Sequence, residues 1–141
     1  MKLSARNVLA GTVASVKKGA VNTEVILKTK GGPSIAAVIT NSSADNLGLK
    51  EGKEAFAIIK ASNIILGTDL HDAKVSARNI MCGTVTKVVE GPVSAEVSVD
   101  IGGGITLTSV ITEESAKKLG FKAGSHACAM IKASNVIMGT E

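Results

Sequence analysis

The sequence predicts an all-β protein of two tandem five-stranded small barrels, each carrying one short helix. Three observations predict it. Lys2 to Asp69 aligns on Lys74 to Glu141 without a gap, at a constant offset, with about half the positions identical. Such a repeat fixes two domains, 2–69 and 74–141, joined by a short connection at 70–73. Within each copy, apolar and polar residues alternate with a period of two, and one compact segment per copy carries helix start and stop signals.

Taken in order, the opening strand runs from about Ala5 to Val16, with Gly11 and Gly83 placed for a bend or bulge. The second strand is clearest in the second copy. Val93, Ala95, Val97 and Val99 alternate with Ser94, Glu96, Ser98 and Asp100, as Val21, Thr23, Val25 and Leu27 alternate with Asn22, Glu24, Ile26 and Lys28. One face is therefore expected to be buried. Gly31-Gly32 and Gly102-Gly103-Gly104 supply turns that need positive φ, and Ile35–Thr40 and Ile105–Thr112 return.

Thr112 to Gly120 reads as a helix. Thr112 caps it, Glu113 and Glu114 suit the positive N-terminus, Lys117 and Lys118 suit the other end, and Gly120 stops it. The first copy repeats this from Thr40 to Gly48, with Ser42 or Ser43 as alternative caps. Two last strands, Ala55–Lys60 and Asn63–Gly67, join at a bend over Lys60-Ala61-Ser62; Ala127–Lys132 and Asn135–Gly139 match them. Five strands and a helix in so short a unit suggest a highly curved sheet of the OB kind. Units this small are marginal alone, so oligomerisation is expected to supply the missing stability.

Composition narrows the function. The net charge is +4, but 2–69 holds nine basic and five acidic residues while 70–141 holds seven of each. A nucleic-acid track needs a basic face and stacking aromatics. The only aromatics, Phe56 and Phe121, are expected in the core. The N-terminus has no apolar signal segment and no apolar run could span a bilayer, so a soluble, cytoplasmic protein is expected. Cys82 and Cys128 stand opposite Ala10 and Phe56 of the first copy, at positions that read as core. Structural thiols in a reducing compartment are the expectation, with a reactive thiol as the alternative.

No enzyme kit recurs. Carboxylate pairs, Ser–His–acid sets and metal-ligand spacings are not duplicated. His71 lies in the connection and His126 stands opposite Glu54, so both read as surface histidines. Glu24 and Glu96 recur on the outward face of a strand, where a solvated or interfacial carboxylate is expected. What does recur is donor chemistry: Arg6 and Arg78, Lys60 and Lys132, and hydroxyls at Ser4, Ser76, Thr40, Thr112, Ser62 and Ser134. A guanidinium fork, a compact ammonium and hydroxyls suit a small tetrahedral oxyanion whose oxygens only accept. On chemistry alone that reading stands level with a plainer one, of surface charges and strand-end hydroxyls.

Ser-Ala-Arg-Asn at 4–7 and 76–79, Gly-Thr-Val at 11–13 and 83–85, Gly-x-Val-x-x-Glu-Val at 19–25 and 91–97, and Lys-Ala-Ser-Asn near each end resemble the molybdenum–pterin-binding (Mop) domain family. The tandem pair is similar to the di-Mop molbindins of the ModG type. The resemblance implies OB-like domains, six per homotrimer, that bind molybdate or tungstate as the bare oxyanion between subunits. It implies no further cofactor, no catalysis, and neither nucleic acid nor membrane as partner. It places paired-domain sites at Ser4, Arg6, Thr40, Lys60, Ala61 and Ser62, and at Ser76, Arg78, Thr112, Lys132, Ala133 and Ser134. Axial sites fall at Gly19, Ala20, Val21 and Asn22 and at Gly91, Pro92, Val93 and Ser94. There Pro92 removes a backbone donor, so the two axial sites should differ. The alternative is an OB-like module that binds nucleic acid or docks on a protein as a regulator.

Overall fold

The computed structural model describes residues 2–70 and 73–141; His71 and Asp72 of the predicted connection lie outside it. The first repeat forms β1 (Asn7–Lys18), β2 (Asn22–Thr29), β3 (Ser34–Thr40), α1 (Asn41–Leu47), β4 (Glu54–Ile59) and β5 (Ile65–Gly67). The second forms β6 (Asn79–Glu90), β7 (Ser94–Asp100), β8 (Thr106–Thr112), α2 (Glu113–Leu119), β9 (His126–Ile131) and β10 (Val136–Gly139). A single 3-10 turn, Ala61–Asn63 or Ala133–Asn135, precedes each last strand.

The sheets are five-stranded, but each takes its fifth strand from the other repeat. Their orders are β10-β4-β1-β2-β3 and β5-β9-β6-β7-β8. Val136 lies opposite Ile59 and Met138 opposite Ala57, while Leu66 lies opposite Ala129. The exchange buries Val136 and Met138 beneath the first sheet and Leu66 beneath the second. Each such side chain contributes about 1.5–3 kcal/mol on leaving water. The buried residues of both repeats accordingly merge into one cluster.

Thr23, Val25 and Leu27 are buried as the alternation requires, but Val21 and Val93 are 74% and 79% exposed at the tips of the β1–β2 and β6–β7 turns. The bulges fall at Ala14 and Thr86, where the pairing with β2 and β7 skips a residue. Gly11 and Gly83 serve otherwise: a Cβ there would collide with the carbonyl oxygens of Lys28 and Asp100. Small backbone, not a bend, is what those positions need.

Both helices start and stop as expected. The Thr40 and Thr112 hydroxyls each accept from the amide three residues on, Ser43 or Ser115, at 3.1 Å. Gly48 and Gly120 close the helices in the left-handed region. The outer face departs from expectation. Ala10 and Cys82 are exposed and Phe56 is half-buried, leaving Cys128 and Phe121 as the buried members of that set. Period-two geometry explains it, since Cys82 points away from the core residue Met81. The two cysteines, expected as free thiols, are joined as a disulfide. Among the described residues no helix is long and apolar enough to cross a membrane.

Candidate functional site

The recurring donors gather where the strand exchange brings the repeats together. Ser4, Arg6, Lys60, Ala61 and Ser62 line one cleft of about 400 Å³, closed by Val110 and Ile137 of the second repeat. The chain leaves β4 at Lys60 in an extended conformation and tightens at once into the 3-10 turn. Asn63 N–H donates to Lys60 O at 2.9 Å, while the Ala61 and Ser62 amides have no backbone partner among the described residues. Such leading amides are the donors a tight helical turn leaves over. Neither Lys60 nor Lys132 has an ion-pair partner among the described residues. Lys60 therefore brings an uncommitted positive charge to the cleft.

The second repeat brings fewer of its predicted residues into one cleft. Ser76 and Lys132 line a cleft of about 280 Å³ with Val75, Ala77, Ile65 and Met130. Ser134 opens instead into a third cleft of about 590 Å³, together with Thr40, Ser43 and Asn22 of the first repeat. The structure thus sets Thr40 beside the second repeat's serine. The 133–135 turn packs on β3, which ends at Thr40, and the 61–63 turn packs on β8, which ends at Thr112. Both threonine hydroxyls are already engaged as helix caps.

The two arginines are held across the repeat boundary. Arg6 Nη1 donates to Glu96 Oε1 at 2.8 Å, and Arg78 Nη1 to Glu24 Oε2 at 2.7 Å. The hydrogen bond from Arg78, and its charge, hold the Glu24 carboxyl below its usual range; the same contact raises Arg78. Sequence reasoning recognised Glu24 and Glu96 as recurrent but did not find these partners. The one available signal was that the Arg and Glu positions recur together.

The four predicted axial positions in each repeat form tight turns. Gly19 N–H donates to Asn22 O at 2.8 Å and Gly91 N–H to Ser94 O at 3.0 Å. Asn41 braces the first turn, giving Nδ2 to Gly19 O at 3.0 Å and accepting from Thr23 Oγ1 at 2.7 Å. In the second repeat Glu113 and Ala95 replace Asn41 and Thr23, and Glu113 Oε2 is buried without a hydrogen-bond partner. Ala20, Val21, Pro92 and Val93 stand exposed at the turn tips.

Two features went unread in the sequence. Asn7 and Asn79, the last residues of the Ser-Ala-Arg-Asn motifs, are buried and tie each opening strand to the other repeat. His126 is exposed, as the surface reading expects, and it lies with Cys82 and Cys128, which that reading did not foresee.

The chain is similar to several known proteins. Residues 3–66 and 75–138 each match the TOBE domain. The chain is 44% identical over 138 residues to the molybdenum transport protein ModE of Azotobacter vinelandii, covering 98% of this chain and 51% of that protein. It is likewise 44% identical over 138 residues to the molybdenum-pterin-binding protein MopA of Rhodobacter capsulatus, covering 98% and 52%. The chain spans about half the length of these curated relatives. Among solved structures it is similar to the cytoplasmic molybdate-binding protein ModG with molybdate bound, with 49% identity and a TM-score of 0.97 over 100% of both chains.

Proposed function

Because the chain belongs to the TOBE-domain family, with two such domains in tandem, we propose that it binds molybdate or tungstate as the bare oxyanion in the cytoplasm and serves molybdenum storage and homeostasis. One observation carries this reading. Lys60, which has no ion-pair partner among the described residues, and the Ala61 and Ser62 amides, which have no backbone partner among them, meet Ser4 and Arg6 in one cleft. Cationic and neutral donors around a dehydrated anion make short, charge-assisted hydrogen bonds. The 49% identical ModG supports molybdate as that anion.

Binding proceeds without turnover. The paired-domain sites use Ser4, Arg6, Thr40, Lys60, Ala61 and Ser62 and their counterparts Ser76, Arg78, Thr112, Lys132, Ala133 and Ser134. Because Thr40 and Ser134 share a cleft across repeats, each site draws on both domains. Three chains then assemble as a homotrimer of six domains, covering the exposed Val21 and Val93 tips and forming axial sites at 19–22 and 91–94. The axial pair is unequal, since the second carries Pro92 and the half-buried Glu113, whose Oε2 has no hydrogen-bond partner among the described residues. Fixed cleft span selects molybdate over the smaller sulfate, while nearly isosteric tungstate is hard to exclude.

Isothermal titration of the full chain with molybdate and, separately, sulfate tests this. Saturable molybdate heat at more than one site per chain, with sulfate silent, is expected. A silent molybdate titration, or sulfate binding equally well, overturns it.

A further inference from the structure

Cys82 and Cys128 face each other directly in the β6–β9 register, their Cα atoms 3.9 Å apart. His126 precedes Cys128 by two residues and lies opposite Thr84, two residues beyond Cys82. Period-two geometry therefore puts all three side chains on one face of the sheet. Their ligand atoms lie within 4.8 Å of one another, with Cys128 Sγ 3.7 Å from His126 Nε2. Two sulfurs bound tetrahedrally at about 2.3 Å from a zinc ion sit about 3.7 Å apart, a spacing the freed thiols reach by small side-chain rotations.

We propose that the dithiol form of this cluster binds a single cation of the zinc class through Cys82, His126 and Cys128, and that thiol oxidation closes the site. Two thiolates and an imidazole select soft or borderline ions, and water completes a three-ligand set. Cys82 and His126 are exposed, which gives the ion a way in, while Cys128 is only 1% exposed and supplies a desolvated anchor. The first repeat has Ala10, Glu54 and Phe56 at these positions, so the cluster belongs to the second alone.

Closure balances with a disulfide oxidant such as glutathione disulfide. The two cysteine thiolates lose two electrons and form the S–S bond, and the cation leaves. The oxidant takes up those electrons and two protons, giving two molecules of glutathione. In a reducing compartment the open, dithiol form predominates. Either state staples β6 to β9 beside β5, the strand supplied by the first repeat, since Gly67 pairs with Cys128.

Cobalt(II) titration of the full chain, reduced with a phosphine under argon, tests the proposal. A thiolate-to-cobalt charge-transfer band saturating at one equivalent is expected, bleached by Zn2+ and abolished by glutathione disulfide. Cys82→Ala and His126→Ala should weaken or remove the band, with unchanged circular dichroism as the folding control. No band in the reduced chain, or one undiminished in both variants, overturns the proposal. Should either variant unfold, iodoacetamide alkylation of Cys82 in the reduced wild type decides. Protection by Zn2+ supports the site, and equal rates with and without Zn2+ refute it.

Discussion

Asn7 of the first repeat and Thr108 of the second are locked by two opposed hydrogen bonds. Asn7 Nδ2 donates to Thr108 O and Thr108 N–H donates to Asn7 Oδ1, both at 2.8 Å. Asn79 grips Ala36 in the same way, at the same two distances. A primary amide here mimics the backbone of one more paired residue, so β1 borrows a contact from β8 without joining its sheet. Replacing Asn7 with alanine leaves the buried Thr108 groups unpaired, which costs roughly 2–4 kcal/mol. Urea unfolding should show that loss, and a midpoint within error of wild type would refute the role.

Arg6–Glu96 and Arg78–Glu24 set the carboxylates against any anion that seeks the same guanidinium. Glu24→Gln and Glu96→Gln should therefore tighten molybdate binding by a few-fold. Weaker binding in both variants would show that the glutamates position the arginines rather than compete for them.

The Glu24 pair also predicts a pH dependence. Its carboxyl titrates below its ordinary value of 4.5 in the folded chain, through the Arg78 hydrogen bond first. The stabilisation is thus present above that ordinary value and fades as pH falls through the lowered one. Thermal melts of wild type and Glu24→Gln should differ near neutral pH and converge in acid. A difference that instead grows on acidification would contradict the assignment.

Lys60→Met and Lys132→Met keep side-chain length and remove the charge. Losing a charged hydrogen-bond donor should weaken binding at the paired-domain sites roughly 10- to 100-fold, with the fold intact. Titration calorimetry beside circular dichroism reads both, and unchanged affinity would remove these lysines from the site.

Strand exchange makes a directional prediction. Truncation before Val136 strips β10 from β4, leaving β4 an edge strand, and takes nothing from β9. Hydrogen exchange should accelerate at Glu54–Ile59 while His126–Ile131 stay protected. The reverse pattern would mean that each repeat keeps its own last strand.

Much of this was legible from particular residues. The run Thr23-Glu-Val-Ile-Leu states its buried face, and Thr112 with Gly120 brackets its helix because capping and positive φ are local demands. The exchange was not legible. Ile65–Gly67 and Val136–Gly139 follow near-identical turns, so each pairs as well with β4 as with β9, and period two cannot choose between copies. The bulges at Ala14 and Thr86 carry no glycine signature. In the site, residue types pointed to an oxyanion kit, but Arg–Glu pairing depends on which repeat faces which. The Cys–His cluster needed the β6–β9 register.

The exchanged strands also set a timetable. During synthesis β4 leaves the ribosome long before the strand that completes its sheet exists, so the first repeat waits with an open edge. Contacts so distant in sequence slow folding and prolong exposure of that edge. A chain interrupted between the repeats would be left holding an unpaired edge and an unplaced β5. Two such fragments can satisfy each other, so a single repeat would need a second molecule for what this chain supplies to itself.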